Sequence, residues 1–202
     1  MTGMLITPTL LNAFQWYTGY YAETPEDEQI NREDFLRMLR REPMEAPGES
    51  IMLGRELEED IVDYCKAGGY DGARKDIKEI GDKWVGGMFQ VSVKRELDGD
   101  LLYGRVDVMR GEFMRDGKFC KQYDVGKFLH SAQHRIYLYC VPTVPRFVYD
   151  ISDRWNVYEE EYANHAKIES ELRGMIADFK NFLRNTDAEA NELFNKHWKA
   201  LS

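Results

Sequence analysis

Two periodicities divide the chain. Near the start, Leu10, Leu11, Phe14 and Tyr17 recur at helical spacing. Thr7 is suited to cap that helix and Pro8 to open it. Residues 22–29 are acidic and read as a turn, a short helix is predicted over 32–41, and Pro43 and Pro47-Gly48 mark a loop. A helix over 50–67 should end at Gly68-Gly69, where glycine can take a left-handed cap, and another is predicted over 74–80. The period then changes to two. A strand is predicted over 88–97, with Phe89, Val91 and Val93 on one face, followed by an Asp98-Gly99-Asp100 turn. Strands over 101–109 and 112–120 flank a turn at Arg110-Gly111. A buried helix is predicted over 129–141, strands over 147–151 and 156–162, and helices over 165–183 and 188–201.

This order predicts an α/β fold: a central mixed β-sheet flanked by helices, with extra C-terminal helices, in a single domain over 1–202. The 43% hydrophobic content is enough for a core, and no apolar run approaches the about 20 residues of a membrane span. No basic segment followed by an apolar one marks a signal peptide. The three cysteines, Cys65, Cys120 and Cys140, lie far apart without CxxC spacing, which fits a reducing compartment and argues against a disulfide framework or a zinc knuckle. These features predict a cytoplasmic setting. The net charge of −9 argues against a general electrostatic coat for nucleic acid. Between Arg105 and Arg135, however, seven cations face four carboxylates, a local excess of +3.

The candidate chemistry lies in the hairpin LLYGRVDVMRGEFMRDGKF. Asp116 and Lys118 point to one face of their strand, and Asp107 lies across the turn from them. Two hard oxygen ligands suit Mg²⁺ or Mn²⁺, and a nearby lysine could hold a phosphate oxygen. The same spacing also suits a solvated hairpin face with Asp116 and Lys118 as a surface pair. A phosphate loop is excluded, because Phe119 stands where serine or threonine is needed. On the preceding helix, Glu58 shares a face with Ile61, Val62 and Cys65. Gln133 and Tyr137 are one turn apart on a later helix, with His130 a turn before them.

Together, Gly104-Arg105-Val106-Asp107, Asp116-Gly117-Lys118 and Gln133-x-x-x-Tyr137 resemble the PD-(D/E)xK nuclease superfamily. The resemblance is closest to its RecB-type branch, which includes single-domain phage and CRISPR-associated exonucleases, and it covers roughly residues 7–160. It implies a restriction-endonuclease-like core and a metal-dependent DNA nuclease, an exonuclease of phage or bacterial recombination, repair or DNA processing. Glu58, Asp107, Asp116 and the Gly117 carbonyl would hold Mg²⁺ or Mn²⁺, and Lys118 would be the catalytic lysine. Glu56 and Glu59 compete with Glu58 for the helix acid. Gln133 and Tyr137 would support the site and contact DNA, while Lys121, Lys127 and Arg135 would track the DNA backbone. Tyr123, Phe128 and Tyr137 are candidates for base stacking, with core packing favoured for Phe128. A second register would place the motif at Asp124 and Lys127. Some RecB-type members carry four cysteines around an iron–sulfur cluster; three dispersed cysteines predict none here. The expected partners are DNA, another copy of the chain, and a separate recombination or replication protein, with no membrane; a phage-encoded chain would act in the host cytoplasm. The alternative is a catalytically inactive nuclease fold serving as a DNA-binding or protein-interaction module.

Overall fold

A computed structural model describes residues 3–18, 25–43 and 48–200, with the backbone alone at 25–31. Six strands form one mixed sheet: β1 (Leu5–Ile6), β2 (Met88–Leu97), β3 (Asp100–Arg110), β4 (Phe113–Phe119), β5 (Arg146–Ser152) and β6 (Val157–Ala163). The helices are α1 (Pro8–Tyr17), α2 (Pro25–Arg40), α3 (Glu49–Lys66), α4 (Lys75–Trp84), α5 (Ala132–Cys140), α6 (Ile168–Asn185) and α7 (Ala188–His197). The predicted α/β architecture, with helices on the sheet and at the C-terminus, is the observed one.

β3 organises the sheet. β2 pairs antiparallel along its length, from Met88↔Met109 to Leu97↔Asp100. Asp98 and Gly99 take φ of 51° and 86°, the left-handed backbone that a two-residue hairpin turn needs. The other edge of β3 is shared. β1 lies parallel at Leu5↔Leu101 and Ile6↔Leu102, while β4 pairs antiparallel only from Val108↔Arg115 to Arg110↔Phe113. Between them, residues 103–107 have no strand partner on that edge among the described residues. β4 continues parallel to β5, and β5 antiparallel to β6.

Two apolar clusters pack against this sheet. The larger joins α1, α2, α5, α6 and α7 to Leu102, Val106, Met114 and Phe147. The smaller joins α3 and α4 to Val108 around Trp84, which is fully buried. Phe89 departs from the expected face. It packs in the smaller cluster, whereas Val91 and Val93 belong to the larger. On the neighbouring strand, Val106 and Val108 divide in the same way. The break falls where Gln90 takes a φ of 53° and the ladder passes from Phe89↔Val108 to Val91↔Val106 without a Gln90–Asp107 pair. A left-handed residue in a strand interrupts the pleat, and here it turns both strands together.

Other boundaries moved for local reasons. Residues 25–29, read as part of a turn, begin α2; proline is tolerated there because the first helical N–H needs no intrahelical partner. The predicted loop at 43–48 falls largely on 44–47, and the first part of the acidic turn on 22–24, both outside the described residues. The α5 helix starts at Ala132 rather than 129, because Ser131 caps it by accepting from Gln133 N. His130 therefore precedes the helix. α6 starts at Ile168 and α7 ends at His197, three and four residues inside the predicted limits. The two-residue β1 was not predicted; so short an apolar pair carries no period.

α5 also buries a titratable group. His134 is 4% exposed and stacks on Tyr162 with ring centroids 3.9 Å apart. Burial, helped by the Arg135 charge, pushes its pKa from 6.5 down to about 3. Between those values the unfolded chain binds a proton that the folded chain refuses, so stability falls as pH falls through that window. The expected loss from this group is about 3 kcal/mol between pH 7 and pH 4. Urea melts at both pH values should show it in the wild type and a correspondingly smaller loss in His134→Phe; equal losses would show that His134 is not held neutral.

Candidate active site

The open stretch of β3 is closed by side chains. Tyr137 on α5 donates its hydroxyl to the Arg105 carbonyl at 2.8 Å. Gly117 N on β4 donates to Asp107 Oδ2 at 3.0 Å, so a carboxylate replaces a ladder bond where the strands diverge. Glycine at 104 allows this, because an added Cβ would sit 2.1 Å from the Tyr137 ring. Gly104→Ala is therefore expected to displace Tyr137 and cost about 1–3 kcal/mol. Denaturant melts would measure it, and an unchanged midpoint would mean the ring has room to move.

The displaced strands frame a cleft of about 690 Å³. Its walls include Asn12 and Trp16 from α1, Glu58 from α3, Gln90, Arg105 and Asp107 from the hairpin, and Lys118 and Gln133. Asp116 lies just beneath, 2% exposed. Its Oδ1 accepts from Gln133 Nε2 at 2.6 Å, and its Oδ2 lies against the Lys118 ammonium. Gln133 Nε2 also reaches the Tyr137 hydroxyl at 3.4 Å, tying motif to motif. Glu58 accepts from Gln90 Nε2 at 2.5 Å.

The electrostatics follow from this crowding. Burial first, then the Asp116 charge, holds the Asp107 carboxyl well above the usual carboxylate range; Lys118 and the Gly117 N–H oppose that shift. Burial would push the Lys118 ammonium down, but Asp116 and Asp107 together hold it up. Glu58 acts on both groups as a further negative charge. All four predicted groups thus share one electrostatic site. Three carboxylates facing one lysine leave the cluster short of positive charge.

A divalent cation suits that shortage. Asp116 Oδ2 has the Lys118 ammonium as its partner, one cation for a cluster that also holds Asp107 and Glu58. Together with Asp107 and Glu58, it supplies the hard oxygen donors that Mg²⁺ or Mn²⁺ prefers. The donors are not drawn into a cage, however: among the described residues no three His, Cys, Asp or Glu side chains are grouped around a common centre. Gln90 engages Glu58, and Lys118 rests on Asp116. The donor chemistry fits the ion, with rearrangement of those two contacts.

The other predicted residues separate. Glu56 pairs with Arg74 and Arg154, and Glu59 borders a different recess, which leaves Glu58 as the acid at the cleft. Asp124 and Lys127 lie in the loop after β4, where Lys127 donates to the Gln122 carbonyl, so the second register has no strand to share. Lys121 pairs with Glu49 on the surface. Arg135 faces away from the cleft: its guanidinium holds Glu171 and the Leu129 and Ser131 carbonyls. Tyr123 and Phe128 are tied to the same loop, which Glu160 clasps by accepting from Tyr123 Oη, Gly126 N and Phe128 N. Phe128 stacks on the buried Tyr149, the packing role favoured for it.

Two solved structures resemble this fold. One is SSO0001, with a TM-score of 0.51, 17% identity, and coverage of 90% of this chain and 77% of the other. The second is a presumed exonuclease from Eubacterium rectale, with a TM-score of 0.54, 14% identity, and coverage of 95% and 82%. This chain shares their fold. No family model and no curated protein matches the sequence.

Sequence reasoning missed Gln90 and Trp16. A glutamine between Phe89 and Val91 was a legible irregularity, but only the left-handed backbone aims it at Glu58. Trp16 was indistinguishable from the core residues of its helix, yet it is 53% exposed at the cleft.

Proposed function

We propose that this chain is a Mg²⁺- or Mn²⁺-dependent DNA nuclease of the PD-(D/E)xK type, acting as an exonuclease in DNA recombination, repair or processing. The observation that carries this reading is the placement of Glu58, Asp107 and Lys118 at one cleft with Asp116 against Lys118, so that three carboxylates share one lysine. The fold shared with the presumed exonuclease supports it.

In this reading Glu58, Asp107, Asp116 and the Gly117 carbonyl would hold the ion. When bound, such an ion would supply Lewis-acid chemistry, making water more acidic and offsetting charge on a phosphate. Lys118 leaves Asp116 to donate to a phosphate oxygen and stabilise the charge that develops in the transition state. Gln133 keeps Asp116 oriented through its 2.6 Å bond. Tyr137, with its pKa raised by burial, stays protonated and holds β3 through Arg105. Gln133 and Tyr137 therefore act as supports beneath the substrate.

The test is incubation of end-labelled linear DNA and closed circular DNA with Mg²⁺ or Mn²⁺. Degradation of the linear form alone is expected. Nicking of the circle would replace the exonuclease with an endonuclease, and no cleavage of either would end the enzymatic reading. A second reading, a catalytically silent DNA-binding module, is favoured by the engagement of Glu58 by Gln90 and of Asp116 by Lys118. It predicts DNA binding without cleavage in either metal.

A further inference from the structure

Gln90 is out of place in its strand. It takes a φ of 53° near the start of β2, a left-handed backbone that glycine, asparagine and aspartate enter readily and glutamine does not. The left-handed residue lets Phe89 pack in one apolar cluster and Val91 in the other. That turn needs the backbone conformation but not the side chain, and glycine would serve it at lower cost. Strain kept at a site where glycine would do points to use of the side chain.

What glutamine adds is an amide. Its Nε2 donates to Glu58 Oε1 at 2.5 Å. Glu58 makes no ion pair among the described residues, and Gln90 is the one side chain among them that donates to it. The amide is neutral, so it fixes the carboxylate without cancelling its charge.

The contact also sets where Glu58 stands. Glu58, Gln90 and Arg105 line both the cleft and an adjoining recess of about 360 Å³, whereas Asp107 and Lys118 line the cleft and not that recess. Asp107 feels the charges of Asp116 and Lys118 more strongly than that of Glu58. Glu58 is thus held at the edge of the carboxylate cluster, on the boundary between the two openings.

We propose that Gln90 is a positioning residue that latches Glu58: its amide competes with a divalent ion for this carboxylate, and the site takes up the ion by giving up the contact. This rests on the nuclease reading of the cleft and adds the residue that sets the metal affinity. The sign of its effect is distinctive. A residue that merely supported a metal ligand would weaken metal binding when removed, commonly by about 10–100-fold. A latch does the reverse. A hydrogen bond to a charged group is worth roughly tenfold or more in an equilibrium. An ion that binds the unlatched state is weakened in proportion to the scarcity of that state. Removing the amide should therefore tighten the ion by about tenfold.

The test is calorimetric titration of Mn²⁺ alone into the full chain, stripped of metal and without DNA. Gln90→Gly removes the amide and suits the left-handed backbone. Gln90→Asn also suits that backbone but is one methylene too short to keep the contact, and it carries the comparison should the glycine variant fail to fold. Each should bind Mn²⁺ about tenfold more tightly than wild type. Each should also gain more melting temperature from a fixed Mn²⁺ concentration, since a ligand stabilises in proportion to its occupancy of the folded state. In a Glu58→Ala background the tightening should vanish, because the latch acts through that carboxylate alone. Weaker Mn²⁺ binding in both variants overturns the latch and makes Gln90 a support for Glu58. Unchanged affinity, a gain that persists without Glu58, or no Mn²⁺ uptake by any form also overturns it. Cleavage of linear DNA by the wild type decides separately whether the nuclease reading stands.

Discussion

Lys118→Ala should lose DNA cleavage by about 10²–10³-fold, the usual effect of removing a donor aimed at developing negative charge. It should also destabilise the fold. Lys118 lies against Asp116, which is 2% exposed, and Asp107 is half-buried beside them. Without the ammonium, the buried Asp116 and the half-buried Asp107 are left with Glu58 as their other charged neighbour. Breaking a buried ion pair from one side costs about 3–5 kcal/mol; the lower end, about 3 kcal/mol, applies here because the lysine side chain is 30% exposed. The two losses should separate on addition of Mn²⁺. The ion should restore part of the lost melting temperature by neutralising the carboxylates, but not the rate. A variant as stable as wild type in metal-free buffer would show that Asp116 does not depend on Lys118. Undiminished cleavage would transfer the catalytic role to another residue.

Asp107→Asn should have the opposite effect on stability and the same effect on rate. Burial and Asp116 hold the Asp107 carboxyl well above its ordinary range in the folded chain. A group whose pKa rises on folding contributes stability at low pH and loses it as pH rises through the folded value. At neutral pH its charge therefore opposes folding. Asparagine removes the charge and can still accept from Gly117 N through its remaining carbonyl oxygen, preserving the contact that bridges β3 and β4. The expected gain is about 0.5–2 kcal/mol at pH 7, the range of other single stabilising changes. Cleavage should fall below about 1% of wild type, because an oxygen donor for the ion has lost its charge. Urea melts at pH 7 and pH 5 would test the sign: the advantage of the variant should shrink at pH 5. A variant less stable than wild type at pH 7 would mean that the Asp107 charge is satisfied as it stands.

These opposite effects express one feature of the site. A protein selected for stability alone would not crowd Asp107 and the buried Asp116 beside a single lysine. The crowding is intelligible when the carboxylates serve a ligand of opposite charge. It also explains why Gln133 and Tyr137 face inward: one orients Asp116, and the other holds the β3 backbone.

Much of this was legible in the amino-acid order. Strand alternation placed Asp116 and Lys118 on one face, and helical spacing placed Gln133 above Tyr137, because these relations follow from local backbone geometry. Helix caps at Thr7 and Gly68-Gly69, and the hairpin turn at Asp98-Gly99, were likewise local. Tertiary structure decided the rest. It chose Glu58 over Glu56 and Glu59, because only the packing of α3 on the sheet determines which acid reaches the cleft. It turned Arg135 toward α6, since cationic residues in sequence carry no record of which carbonyls they will meet. It divided Phe89 from Val91 through the left-handed Gln90, a conformation that period-two alternation cannot represent. It also opened β3 between β1 and β4, so that Asp107 meets Gly117 N, because strand pairing joins segments far apart in the chain and only the assembled sheet shows where that pairing stops.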